Sequence, residues 1–212
     1  MASLNLGVHV GDIPANVTQN RALLRTHLPS EPVWMEQVHG AAVIDAASSP
    51  ADPRADGAVT RKAGVVCCVM TADCLPVLLA DEAGTAVGIA HAGWRGLAHG
   101  VIEATIGRMQ APPSRIVAYL GPAISRKAYE VGAELFELFV KKDAADEQSF
   151  IGKGGGKYWC DLYSLATRRL VRLGVSAIYG GTYCTHGDAA RFFSFRRDGQ
   201  TGRMASLIWL TQ

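Results

Sequence analysis

The chain has 212 residues, 49% hydrophobic and 19% charged, which suits one folded domain over residues 1–212 and argues against disorder. A formal net charge of +2, without a basic run or an aromatic–basic ladder, points to no nucleic-acid partner. The apolar runs are short and interrupted by Asp73 and Asp81, and the start MASLNLGVHVGD lacks a basic, apolar leader; no membrane partner, a cytoplasmic location and five reduced cysteines are expected.

In chain order, Asn16 to Leu28 reads as a short helix, with Asn16 as cap and Gln19 as its capping-box partner. VWMEQVH and AAVIDA read as strands around Gly40, and ASSPADPRADG as a loop. GVVCCVMTA and LPVLLA are continuous, Val- and Leu-rich runs, as expected of strands buried on both faces, and TAVGIAHAG reads as another strand. From Trp94 to Met109 the residues Leu97, Val101, Ile102, Thr105 and Met109 recur at helical spacing. SRIVAYLGP and VSAIYGG read as strands. VGAELFELFVKK and DLYSLATRRLVRLG read as amphipathic helices, the second capped by Asp161. FIGKGGGKYW lacks the spacing of a phosphate-binding loop and reads as a mobile surface loop. FFSFRRDGQTGRMASLIWL reads as a hairpin with Asp198–Gly199 in its turn.

His39, Cys74 and His91 each fall at a strand end beside glycine or a turn, where side chains from distant parts of a chain can converge. Two imidazoles and a thiolate form a zinc ligand set with one position left open, the pattern of catalytic rather than structural sites. The alternative is that Cys74 packs as a small hydrophobe, as Cys67 and Cys68 do in mid-strand, and that the histidines bond to backbone. Asp73 and Arg95 add charge at the same strand ends. Arg95 opens a helix, and its planar fork suits phosphate or carboxylate, although a structural ion pair would use it equally well. Arg196 and Arg197, if on a strand, point to opposite faces, so at most one faces a given site. Cys184 and His186, at i and i+2, would share a strand face. Gln37, Arg95, Cys184 and Arg196 are candidate substrate contacts.

NLGVHVGD, EQVHG, TADCLPVLLAD, HAGWRGL, LGPAIS, YEVG and FFSFRRDGQTGRMASLIWL occur in that order. Together they resemble the YfiH-type family, also described as peptidoglycan editing factors or laccase-domain polyphenol oxidases, from about Asn5 to Leu210. The resemblance implies an α+β fold in α/β/β/α layers, with mixed sheets packed face to face and helices outside. It implies a metal site at His39, Cys74 and His91, usually holding zinc, with copper as the older assignment. It also implies a purine nucleoside phosphorylase acting with phosphate on adenosine, inosine, guanosine and methylthioadenosine, with adenosine deaminase activity. Bacterial members are linked to peptidoglycan editing, and the family is similar to the catalytic domain of cytotoxic necrotizing factors. SRKAYEVG and His186 depart from the family pattern without touching the three ligands.

Six histidines without an H-x-H pair do not suit a multicopper oxidase, although copper would accept the same donors. Phosphorolysis fits better, with Arg95 on phosphate or ribose. Because the zinc-deaminase signature is absent, deamination would need another proton carrier, for which Asp73 is the candidate. A cysteine hydrolase or amidase would use Cys74 as nucleophile and His91 or His39 as base. A non-enzymatic metal- or partner-binding module is the third class. The chain is expected as a monomer or a homodimer with a small-molecule partner.

Overall fold

A computed structural model of the chain describes residues 4–48, 50 and 53–211. Helix α1 spans Pro14–Arg25. It begins two residues before the expected cap: Pro14 sits in the first turn, Ile13 is the cap position, and no side chain caps it. Proline costs no hydrogen bond at a helix start and presets the helical φ, so Asn16 lies inside the helix and the capping box does not form. VWMEQVH is not a strand. It makes only isolated bridges, Val33 to Cys67 and Glu36 to Arg54. Strand β1 is Val43–Asp45 and β2 is Gly57–Thr60. Within the loop expected between them, Ser49, Ala51 and Asp52 lie outside the described residues.

The three apolar runs form β3 (Cys67–Thr71), β4 (Leu75–Asp81) and β5 (Val87–Ala92). Every residue of β3 and β5 is buried, which is why these runs carry no polar alternation. The helical pattern that follows is two helices, α2 (Trp94–His99) and α3 (Val101–Met109). Gly100 separates them in the left-handed conformation, at φ 85°, a turn that glycine makes without steric cost. Next come β6 (Ile116–Leu120), β7 (Glu130–Gly132) and α4 (Ala133–Lys142).

The FIGKGGGKYW stretch is a hairpin, β8 (Phe150–Gly154) and β9 (Lys157–Cys160), and not the mobile loop expected from its glycines. Gly154, Gly155 and Gly156 all have positive φ, so the glycines make the turn while Phe150, packed against Phe136 and Tyr158, anchors the pair. Helix α5 (Leu162–Leu173) is capped as expected, with the Asp161 carboxylate accepting from the Ser164 amide at 3.0 Å. Strand β10 (Ala177–Gly180) follows. The C-terminal hairpin does not form. The residues expected as its first arm are a short helical turn, α6 (Phe195–Asp198), and β11 (Met204–Ile208) pairs antiparallel with β3. Ser194 caps α6 by accepting from the Arg197 amide at 3.2 Å, a local bond that overrides the Asp–Gly turn signal. Arg196 and Arg197 therefore do not alternate as on a strand. Cys184 and His186 lie outside the strands, His186 on a turn, and share no strand face.

The main sheet has the order β1-β2-β5-β4-β6-β10, mixing parallel and antiparallel pairs, and β7-β9-β8 form a separate small sheet. One face of the main sheet packs on α2, α3 and α5 through Leu75, Val77, Leu97, Ile102, Leu165 and Leu170. On the other face, Ala58 and Ile89 meet Cys67 and Val69 of the β3–β11 pair. Helix α1 lies beyond β3, where its Arg21 reaches Met70. The architecture is the α+β arrangement expected, with sheets face to face and helices outside. Each fully buried Leu or Ile contributes about 1.5–3 kcal/mol. Among the described residues no helix is long and apolar enough to cross a membrane.

Candidate metal centre

The ladder between β4 and β5 ends with Leu75 opposite Ala92. Cys74 and Gly93 leave it side by side, so close that a β-carbon on Gly93 would lie 2.7 Å from Cys74 Sγ. His91 is one residue inside the same end of β5 and 2% exposed. His39 arrives from the Val33–His39 segment in a left-handed conformation, at φ 60°. The ligating atoms of His39, Cys74 and His91 all lie within 4.8 Å of one another. The two imidazole rings stand edge-on, with centroids 4.8 Å apart.

Asp56 fixes this geometry. It is fully buried and accepts four hydrogen bonds: from the amides of Val38 (3.2 Å), His39 (2.9 Å) and Gly40 (2.7 Å), and from His91 Nδ1 (2.8 Å). One carboxylate thus holds the unusual backbone of His39 and orients the ring of His91, whose second nitrogen remains for Cys74 or an ion. A carboxylate behind a histidine ligand is a recurrent support of metal sites. Sequence reading missed Asp56. Its only signal was an aspartate standing in a loop immediately before a strand, which is common at surfaces.

Electrostatics between Cys74 and His91 favour a thiolate–imidazolium pair. Burial opposes ionisation of Cys74, but the charge of His91 and the hydrogen bonds from His39 and His91 outweigh it and lower the thiol pKa. Burial likewise opposes charge on His91, yet the Cys74 thiolate and the Asp56 hydrogen bond raise its pKa. Cys67, by contrast, is pushed up to about 12 by burial, and burial raises Cys68 and Cys160 further. Two imidazoles and an ionised thiolate, mutually close and one of them braced by a carboxylate, fit a borderline-soft divalent ion such as zinc; a copper ion would accept the same donors.

The remaining expected residues surround this centre in different ways. Asp73, at φ 93°, turns the chain into Cys74, and its carboxylate accepts from Thr185 Oγ1 (2.6 Å) and the Arg196 amide (2.7 Å). Arg95 is at the start of α2, exposed, stacked 4.4 Å over its neighbour Trp94, and makes no ion pair among the described residues. Arg196 donates to the Glu130 carbonyl at 2.8 Å and lies over the Tyr129 ring. Burial, helped by the charges of Cys160 and Cys74 and opposed by those of Arg196 and Arg95, raises the pKa of the Tyr129 phenol, a residue that no sequence signal had singled out. Arg197 bonds the carbonyls of Thr185, His186 and Phe192, as a strap of the fold. Gln37 is engaged with the backbone of β3, donating to the Met70 carbonyl (2.9 Å) and accepting from its amide (2.7 Å). Cys184 accepts from the Ser125 amide at 3.5 Å. Burial would raise its thiol, and the hydrogen bonds of Ser125, Gly187 and His186 outweigh it and lower its pKa.

The chain matches, over residues 1–211, the family model described as multi-copper polyphenol oxidoreductase laccase. It is 52% identical over 211 residues to proteins named purine nucleoside phosphorylase YfiH in Shigella flexneri and in Escherichia coli K12, covering 98% of this chain and 86% of each relative. Among solved structures, a Neisseria meningitidis protein is 51% identical with a TM-score of 0.96, covering 99% of this chain and 87% of that one. YlmD from Geobacillus stearothermophilus is 33% identical with a TM-score of 0.91, covering 100% of this chain and 86% of that one.

Proposed function

Since the chain belongs to the multi-copper polyphenol oxidoreductase laccase family, and its curated relatives are named purine nucleoside phosphorylases, we propose that it is a zinc-dependent purine nucleoside phosphorylase. The observation that carries this reading is the convergence of His39, Cys74 and His91, in a chain half identical to those relatives. His39, Cys74 and His91 would hold the metal, which when bound supplies Lewis-acid polarisation of a substrate oxygen.

The chain's own residues account for the rest. A phosphate oxygen bonds to C1′ of the ribose, the bond from C1′ to the purine breaks, and the purine leaves with the bonding pair and takes up a proton. Arg95, exposed and without an ion pair among the described residues, contacts phosphate or ribose. Arg196 and Cys184 line the approach. Asp73 acts as a positioning residue, because both its oxygens already hold Thr185 and Arg196; Gln37 likewise positions β3. Substrates in this reading are adenosine, inosine, guanosine and methylthioadenosine, with deamination of adenosine as a side activity, all performed by one catalytic domain.

One observation favours a second reading. Cys74, His91 and Asp56 stand in the order nucleophile, base and orienting acid, with His91 Nδ1 2.8 Å from Asp56. Without metal this arrangement suits an amidase, including one that edits peptidoglycan precursors.

Metal content and product analysis separate the two. Adenosine and inosine are incubated with protein of measured zinc content, with and without phosphate, beside Cys74→Ser. Phosphate-dependent release of free base by the zinc-loaded wild type alone is expected. Full activity of metal-free protein on an amide substrate, with no base release, would instead establish the hydrolase.

A further inference from the structure

Beside the metal centre the surface holds a cleft of about 530 Å³, lined among others by His9, Phe195, Gln200, Thr201 and Arg203. Its position relative to Cys74 follows from the strands. Met204 pairs with Thr71 at the last rung of the β3–β11 ladder, so Arg203 leaves the sheet where Ala72, Asp73 and Cys74 leave it. From the other side, the amide of Arg196, next to Phe195, donates to Asp73 Oδ2 at 2.7 Å. Arg203 and Phe195, both of the cleft, are thus adjacent in the chain to residues that meet the turn at Asp73 and Cys74.

Arg203 is the unusual group of this cleft. Its Nη1 donates to the carbonyls of Thr201 (2.9 Å) and Gly202 (3.1 Å), which fix its direction, and Nε and Nη2 have no partner among the described residues. No carboxylate pairs with it among those residues, although it is half-buried and its side chain packs against Gly7. Burial lowers its pKa, and the nearby charges of Cys74 and Asp73 partly restore it. A half-buried guanidinium aligned by backbone carbonyls, with an edge that has no hydrogen-bond partner among the described residues, suits a second anion beside Asp73 and Cys74.

We infer that this cleft is the subsite for inorganic phosphate, with Arg203 as its anchoring cation and Thr201 and Gly202 as the carbonyls that hold the guanidinium in place. The inference rests on the phosphorolysis reading and refines it, since it assigns phosphate to the Arg203 side of Cys74 and leaves Arg95, at the start of α2, for the nucleoside. Phe195, 58% exposed, closes the outer edge of the cleft.

The test measures base release at varied phosphate and varied inosine, together with calorimetric binding of inorganic phosphate, for wild type, Arg203→Gln and Gln200→Glu. Gln200 is exposed, so a negative charge there repels phosphate at the lip without disturbing the guanidinium's backbone anchors. Both variants should raise the KM for phosphate by about tenfold or more, the size of one charge-assisted contact, with the inosine KM within about twofold. An unchanged phosphate KM in both folded variants overturns the subsite while leaving phosphorolysis standing. If wild type shows no phosphate-dependent release, the phosphorolysis reading fails. Calorimetry then decides the subsite alone: phosphate bound by wild type and lost in either folded variant upholds it, and no binding to wild type overturns it.

Discussion

At the scale of single residues, Asp56 organises the centre while touching no open surface. Asp56→Asn keeps the size but turns an acceptor oxygen into a donor facing amides and a ring nitrogen. It should cost about 2–4 kcal/mol in chemical denaturation and weaken zinc by roughly 10–100-fold in competition titrations. Burial opposes the Asp56 charge, but the His91 and backbone hydrogen bonds prevail and lower its pKa. A depressed carboxylate contributes stability that is complete above its ordinary pKa of about 3.9 and lost as pH falls through the lower folded value. The difference between wild type and Asp56→Asn should therefore shrink on acidification below about pH 4. The cysteines divide in the same way. Cys74→Ser should lose zinc and base release together, whereas Cys67→Ser, in the packed layer between the sheets, should lower the melting temperature and leave kcat intact. A folded but inactive Cys67→Ser would refute the assignment of Cys74.

Among elements, what sequence reading captured and what it missed have physical causes. β3, β4, β5 and α5 were legible because burial on both faces, or an Asp cap, writes itself into a short local run. Cys74 and His91 were legible beside strand ends, whereas His39 was read at the end of a strand that does not form, and the resemblance to family motifs is what grouped the three as a metal set. Asp56 was not, since its partners His39 and His91 lie 17 and 35 residues away and nothing local encodes them. The C-terminal hairpin failed because the Ser194 cap and the Asp73 carboxylate both bind amides of α6, a competition in which one partner is 123 residues distant. Gly93 tests how tightly two strand ends are joined. Gly93→Ala would put a methyl 2.7 Å from Cys74 Sγ. It should displace the thiol and cost at least about tenfold in zinc affinity, read by chelator competition, while far-UV circular dichroism stays unchanged.

For the molecule as a whole, the centre is a clasp between layers. His39 comes from the segment before β1, Cys74 and His91 from the ends of β4 and β5, and Asp73 ties the same point to α6. An ion held there binds only the folded chain, so it adds about 2.7 kcal/mol when present at 100 times its dissociation constant. For a chain of this size that corresponds to about 5–10 °C. Chelation should lower the melting temperature by that amount, and added zinc should restore it. An unchanged melting temperature after verified removal of the ion would show that the layers hold together without the clasp.

The order of these pieces along the chain has a consequence for biosynthesis. His39, Asp56, Cys74 and His91 all lie within the first 91 positions, whereas α6 and Arg203, which build the neighbouring cleft, follow position 194. Chains emerge from the ribosome N-terminus first and begin to fold in that order. The donors and their bracing aspartate are therefore translated about a hundred residues before the cleft's far wall. A nascent chain thus carries all four side chains of the candidate metal centre before it carries the far wall of the neighbouring cleft.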